Sequence, residues 1–394
     1  LRSVGGRAVV LDALRTPYGR RGGALSSWHP VDLAAELLSQ LVGRHGLDGS
    51  LVEDVVLGCT SQVGAQAGNI ARRAVLAAGW PESVPGATVD RQAASSSQAV
   101  HWAAQAVMSG AQDLVVAGGV EVMTAVPLGA NLAVPAVGKP YGRRLQERYR
   151  AGGGLLPPGL AAEEVVRRWS LRRPELDAWA LASQTRARRA QRHRPGYFVA
   201  LATAPLSTGA PASLLVSDEA LLPRRSLADL AALAPMYVDG GAITAANMAA
   251  EGDGAAALLI ASPKRASDLG LSAKAVMVSF AVAGGGPEVW PVATIAATSE
   301  ALRRAGLVPD QVGRFEVHES SAAAVLAWMA GTGVPPERVN PEGGALATTA
   351  PLGAAGAGLF AAAVAGLASG DARYALVCCA GEGGVATACV LESA

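Results

Sequence analysis

Two distant stretches of this chain follow one plan, and that duplication narrows the folds open to it. The first runs from Val89 to Gly119, "VDRQAASSSQAVHWAAQAVMSGAQDLVVAGG". Small residues crowd the entrance of a helix-like run, a Gly follows, and a strand-like segment ends in small residues. The second runs from Val339 through "PLGAAGAGLFAAAVAGLASG" to "YALVCCAG". Gly and Ala at this density let helix and strand backbones approach closely, so each unit predicts a helix buried against a sheet. Around them "RAVVLDAL" and "DVVLGC" alternate with "VDLAAELLSQLVGRHG" and "NIARRAVLAAG", and "KAVMVSFAVAG", "ATSEALRRAGL", "RFEVHES" and "AAAVLAWMAGTG" repeat the rhythm. The fold class is therefore α/β, with two similar βαβα halves.

At 394 residues the chain exceeds the usual size of a single core. The pattern divides it into a first half (1–120 and 248–270), an inserted region (121–247) and a second half (271–394). The insert has Pro and Gly breaks and one polar amphipathic helix, "PELDAWALASQTRARRAQRH". Insertions on a rigid scaffold commonly cover substrate sites.

Composition excludes several classes of partner. The 33 basic and 32 acidic side chains nearly cancel and the Arg clusters are short and scattered, so neither nucleic acid nor an anionic membrane is implied. Cys59, Cys378, Cys379 and Cys389 lack metal-ligand spacing and no signal peptide precedes them, which predicts a reduced, cytoplasmic protein. Gly343 to Gly370 carries no charge, but Thr348, Thr349, Pro351 and repeated Gly and Ala make it too weakly apolar to span a bilayer. It predicts a buried helix instead.

Further stretches carry a family resemblance: "DALRTPYGRRGGAL", "GCTSQVGAQAGNIARRAVLAAGWP", "VDRQAASSSQAV", "AGGVEVM", "ELDAWALASQ", "DGGAITAANMAAEGDGAAA" and "GGALATTAPLGAAG". Almost end to end, the chain resembles the thiolases, that is, acetyl-CoA acetyltransferases and 3-ketoacyl-CoA thiolases. The resemblance implies two halves in a five-layer αβαβα arrangement, a loop domain over the active site, and assembly as a homodimer or homotetramer. It also implies a chemistry. A cysteine thiolate takes up the acyl group, a histidine lowers the thiol pKa, and a second cysteine moves a proton at the α-carbon.

On the family's motifs these positions fall on other residues. The nucleophile of N-R-Q-C-x-S-S-x-Q becomes Ala93, and the histidine of G-H-P-L-G-A becomes Ala350, preceded by Thr349 where the family has glycine. Alignment without a gap makes the second cysteine Ala380 and sets Glu382 on a family glycine, whereas a one-residue shift would make it Cys379. The N-E-A-F motif becomes "HESS", His318 to Ser321, and a Met-Gly-x-Gly-Pro segment becomes "WPVAT", Trp290 to Thr294. On the CoA side, Ala249 replaces a serine and Leu222 an arginine, with Arg224 two residues on. Ser95 and Ser96 match positions that cap and pack the helix start, and an unactivated serine is a poor nucleophile.

The expected protein is thus thiolase-like, without a cysteine acyl-enzyme, with no cofactor and with weakened binding of CoA or an acyl carrier. His318 with Glu319 and Glu382 are the candidate acid/base groups, and Ser320, Ser321, Trp290 and Met123 the candidate contacts to a small acyl substrate. Arg224 is the remaining candidate for CoA. His29, His45, His101 and His193, on surface-like or helical segments, are expected to be structural. Two functions fit: a repurposed enzyme acting on an acyl or 3-oxoacyl compound, or a non-catalytic subunit for an active protein partner.

Overall fold

Strand alternation sorts the first half into two faces. Along Leu114–Val122, Leu114 and Val116 join one apolar cluster while Val115 and Ala117 join another on the opposite side. Such a strand is covered on both faces. In this computed structural model residues 6–133, 138–150, 155–192, 196–203, 213–221 and 225–394 are described.

The strands are β1 (Val9–Arg15), β2 (Gly19–Arg20), β3 (Asp54–Gly58), β4 (Gly86–Val89), β5 (Leu114–Val122), β6 (Leu201–Ala202), β7 (Leu214–Leu215), β8 (Gly252–Ala261), β9 (Ala275–Gly284), β10 (Arg314–Val317), β11 (Tyr374–Gly381) and β12 (Val385–Ser393). All but the β6–β7 hairpin belong to one mixed sheet, ordered β10-β11-β12-β9-β1-β8-β5-β3-β4 with β2 against β8. Within it β3 runs parallel to β4 and β5, and β10 parallel to β11. Val9 and Val10 of β1 face Val276 and Ala275 of β9 across a short seam that joins two half-sheets.

Helices Ser95–Ser109 and Leu352–Ala368 pack against each other between the half-sheets. Pro30–Gly43 and Ile70–Ala77 cover the outer face of the first half, and Ala293–Ala305 and Ala322–Thr332 that of the second. This is the five-layer αβαβα arrangement. The central helices approach closely because their contact residues are small: a Cβ on Gly356 would lie 2.6 Å from the Ser97 side chain. The uncharged stretch becomes the buried helix Leu352–Ala368, and among the described residues no helix is long and apolar enough to cross a membrane.

His101 sits inside this central layer rather than at a surface. Its ring lies edge-on to Phe280 and Phe360, neither nitrogen has a partner, and burial pushes its pKa down to about 3. It is a neutral core residue, as a structural role requires.

Candidate active site

The turn after β4 delivers Ala93. Asp90 Oδ1 accepts from the Gln92 N–H at 2.8 Å, and Ser95 Oγ accepts from the Arg91 N–H and donates to the Gln92 carbonyl. Between these restraints Gln92 adopts φ 53°, a left-handed conformation unusual for a residue with a side chain. The serines are occupied: Ser96 Oγ accepts from the Ala357 N–H at 3.0 Å, and Ser97 shares a 2.8 Å hydrogen bond with Thr387. All three are buried and none lines the cavity, so none serves as its nucleophile.

Ala350 is held by its N–H to the Ala250 carbonyl, 2.9 Å. The preceding Thr349 has φ 79° and ψ 169°, a region populated almost only by glycine. Replacing it should release strain of roughly 1–3 kcal/mol. Glycine loosens the unfolded chain, and the 3.3 Å bond from Thr349 Oγ1 to the Gly19 carbonyl is lost. The net expectation for Thr349→Gly is a gain of about 1 kcal/mol, read as a higher urea midpoint. A lower midpoint would show that the hydroxyl contact outweighs the strain.

Ala93 and Ala350 face a cavity of about 520 Å³, counting its mouth, shared with Met123, Trp290, His318, Ser320 and Glu382. Ala380 is not in its wall. It packs with Ala161 and Trp290, so the indole covers the space beside it. Neighbouring side chains on β11 alternate sides, and Cys379 Sγ donates to the Ala93 carbonyl at 3.2 Å, outside the cavity. The space beside residue 380 is therefore filled by Trp290.

The His318 backbone N–H donates to the Cys378 carbonyl at 3.0 Å, which fixes the turn after β10. Both ring nitrogens lack a hydrogen bond of normal geometry, although the Ala380 carbonyl slightly favours the protonated ring. Burial dominates and pushes the His318 pKa down to about 4, so the imidazole is neutral at pH 7. Among the described residues no carboxylate pairs with it.

Glu319, expected to approach His318, instead serves the fold. Its oxygens accept from Trp179 Nε1 (3.0 Å), Ser183 Oγ (2.8 Å), Asn340 Nδ2 (3.0 Å) and the Leu346 N–H (3.2 Å), and it does not line this cavity. Those four bonds use a carboxylate's full accepting capacity. Glu382 does line the cavity, and its carboxyl is pushed up by burial and then by Asp90. Ser321 turns inward as the N-cap of Ala322–Thr332, accepting from the Ala324 N–H, and is not in the wall. Arg224 and Leu222 lie outside the described residues, as does His193.

The cavity therefore presents an unusual set of groups. His318 Nδ1 and Nε2, Ser320 Oγ and Trp290 Nε1 are all buried without partners, and Glu382 stands beside them. Such groups can bind and orient a polar ligand and exchange a proton with it. Ser320 has no base bonded to its hydroxyl. Among the described residues no cluster of His, Cys, Asp and Glu could hold a metal ion.

Sequence reasoning missed the strain at Gln92 and Thr349 and the closure by Trp290. Thr349 beside Ala350, where the family resemblance implies a glycine, was the one available signal.

Comparison with known proteins places this geometry. "Thiolase, N-terminal domain" matches residues 8–264 and "Thiolase, C-terminal domain" residues 271–393. The steroid 3-ketoacyl-CoA thiolase of Mycobacterium tuberculosis is 39% identical, with 98% of this chain and 94% of that protein covered. The beta-ketoadipyl-CoA thiolase of Pseudomonas aeruginosa is 37% identical, covering 95% and 96%. The crystal structure of Bacillus anthracis acetyl-CoA acetyltransferase matches with a TM-score of 0.89 at 29% identity, over 99% of this chain and 100% of that one. With both domains matched and relatives aligned over nearly their whole length, the chain belongs to the thiolase family.

Proposed function

We propose that this protein binds a small acyl or 3-oxoacyl compound and acts on it without a cysteine acyl-enzyme. The observation that carries the proposal is the cavity wall: methyl groups at Ala93 and Ala350 where the family resemblance puts a thiol and an imidazole, beside the unpartnered His318, Ser320 and Trp290. A buried polar atom without a partner costs roughly 1–3 kcal/mol. Several retained around one cavity favour a ligand that completes them. The relatives, two acyl-CoA thiolases and an acetyl-CoA acetyltransferase, support the acyl class.

CoA itself is proposed to bind weakly. Ala249 lines the cavity and offers no polar contact where the resemblance puts a serine, and Leu222 stands where it puts an arginine. Two lost hydrogen bonds to a charged ligand, each about 1.5–3 kcal/mol, weaken binding roughly a hundredfold or more. The test is calorimetric titration with the N-acetylcysteamine thioester of acetoacetate and, separately, with CoA. Saturable heat is expected from the surrogate and none from CoA at micromolar concentration. Micromolar CoA affinity would restore an acyl-CoA ligand, and silence from the surrogate would turn the reading toward a non-catalytic subunit. That second reading has one observation in its favour, the exposed apolar run Met236, Tyr237 and Val238.

Assembly as a homodimer is proposed through β4. This strand ends the sheet, with Ala87 exposed and an open edge able to pair with a second copy. A monomer by light scattering at micromolar concentration would contradict it.

A further inference from the structure

Adjoining the cavity is a second one, and His318 and Ala350 stand in the walls of both. At position 350 the side chain shared by the two walls is only a methyl group. The second chamber is polar. Arg15 is held by Asp218 through two bonds of 2.6 and 2.7 Å and stacks on Tyr18 and Phe198 at 4.2 and 4.1 Å. Across it, Glu316 accepts from Arg314 Nε at 2.6 Å, while Glu342 pairs with Arg314 Nη2 at 3.2 Å and accepts from the Tyr197 hydroxyl at 2.6 Å.

Three carboxylates, Asp218, Glu316 and Glu342, thus stand against two guanidiniums, Arg15 and Arg314. Glu319 also borders the chamber, but its accepting capacity is spent. Besides the two His318 ring nitrogens, the Tyr18 hydroxyl and Gln191 Oε1, whose amide nitrogen donates to Asp218, are buried in the lining with no partner among the described residues. Tyr18 is 6% exposed and bonds to nothing through its hydroxyl, although its ring is well packed. Excess carboxylate and a free carbonyl oxygen call for a donor. Consistent with that, burial pushes Glu316 up to about 7, a penalty that a neighbouring cation would relieve.

We infer that His318 and Ala350 form the threshold between two chambers, and that the inner one receives a hydrogen-bond-donating end, an amine or a hydroxyl, of a ligand whose acyl part occupies the outer one. The inference rests on the proposed acyl-binding function for the outer chamber only. It makes the ligand bifunctional, apolar in the middle and polar at its far end.

The test titrates the whole chain with N-pentylacetamide and its ω-hydroxy and ω-amino analogues, alongside the acetoacetyl surrogate. The two donor-ended probes should bind roughly tenfold tighter than the methyl-ended one, the worth of one or two hydrogen bonds. Ala350→Leu, which fills the threshold, should erase that advantage. Tyr18→Phe should reduce the advantage of the ω-hydroxy probe while leaving the melting temperature unchanged, since no protein partner is lost. Equal binding of the three pentyl probes to the unaltered protein overturns the inference, as does an advantage that survives Ala350→Leu. If the surrogate binds and the pentyl probes are alike, the inner chamber falls and the proposed function stands. If the probes differ and the surrogate fails, the function falls and the chamber stands.

Discussion

Purified protein mixed with acetoacetyl-CoA and CoA should show no thiolysis, and its intact mass should gain no acyl group. The proposal leaves no other outcome, because Ala93 carries no nucleophilic atom and the four thiols are buried and poorly acidic. Burial pushes Cys378 up to about 12, while Cys379, Cys59 and Cys389 are also driven up by burial, with Glu121 adding to the effect at Cys59. A thiol of pKa near 12 is ionised to roughly one part in 10⁵ at neutral pH. Ala93→Cys alone should remain inactive, since position 350 supplies only a methyl group. General-base assistance is worth about 10²–10⁴ in rate, and the introduced thiol would lack all of it. An acyl adduct on the unaltered protein, or turnover by the single variant, would overturn the proposed function.

Glu319→Ala and His318→Ala, adjacent in sequence, should differ by several kcal/mol. Removing the Glu319 carboxylate strands Trp179 Nε1, Ser183 Oγ, the Leu346 N–H and one hydrogen of Asn340 Nδ2, whose other hydrogen stays on the Val317 carbonyl. Each stranded donor costs roughly 1–3 kcal/mol, so a loss of about 4 kcal/mol or more is expected, enough to unfold much of the population. His318 offers no such network, since its ring nitrogens lack partners. His318→Ala should leave the chemical-denaturation midpoint nearly unchanged and weaken binding of the acetoacetyl surrogate. Equal destabilisation by both changes would assign His318 to the core and remove it from the proposed site.

Architecture was legible because it rests on repetition. The Val89–Gly119 and Val339–Gly381 units announced two helices that only small residues could bury, and the structure packs them against each other between the half-sheets. Ala93 and Ala350 were located through the family resemblance, on "VDRQAASSSQAV" and "TAPLGA". Side-chain direction was not legible. Nothing in "HESS" distinguishes a Ser whose hydroxyl is free, Ser320, from one that caps a helix, Ser321. Nor does it separate His318 from the neighbour that turns away into a hydrogen-bonded knot. Those outcomes depend on Trp179 and Asn340, both more than twenty residues removed in sequence. In β10, Arg314 and Glu316 alternate with Phe315 and Val317, which puts the two charges on one face of the strand. That Glu342 joins them became apparent only in three dimensions.

The left-handed Gln92 and the glycine-like Thr349 also bear on how much change the chain can absorb. Two conformations of this kind draw roughly 2–6 kcal/mol from a native margin of about 5–15 kcal/mol. The partnerless buried nitrogens of His101 and His318 draw on the same margin. A protein in that position tolerates fewer random core substitutions than its size suggests, and variants altered near the cavity should be sought on a background already carrying Thr349→Gly. Backbone conformation at Gln92 and Thr349 thus acts as a constraint on mutational robustness that reaches well beyond the cavity.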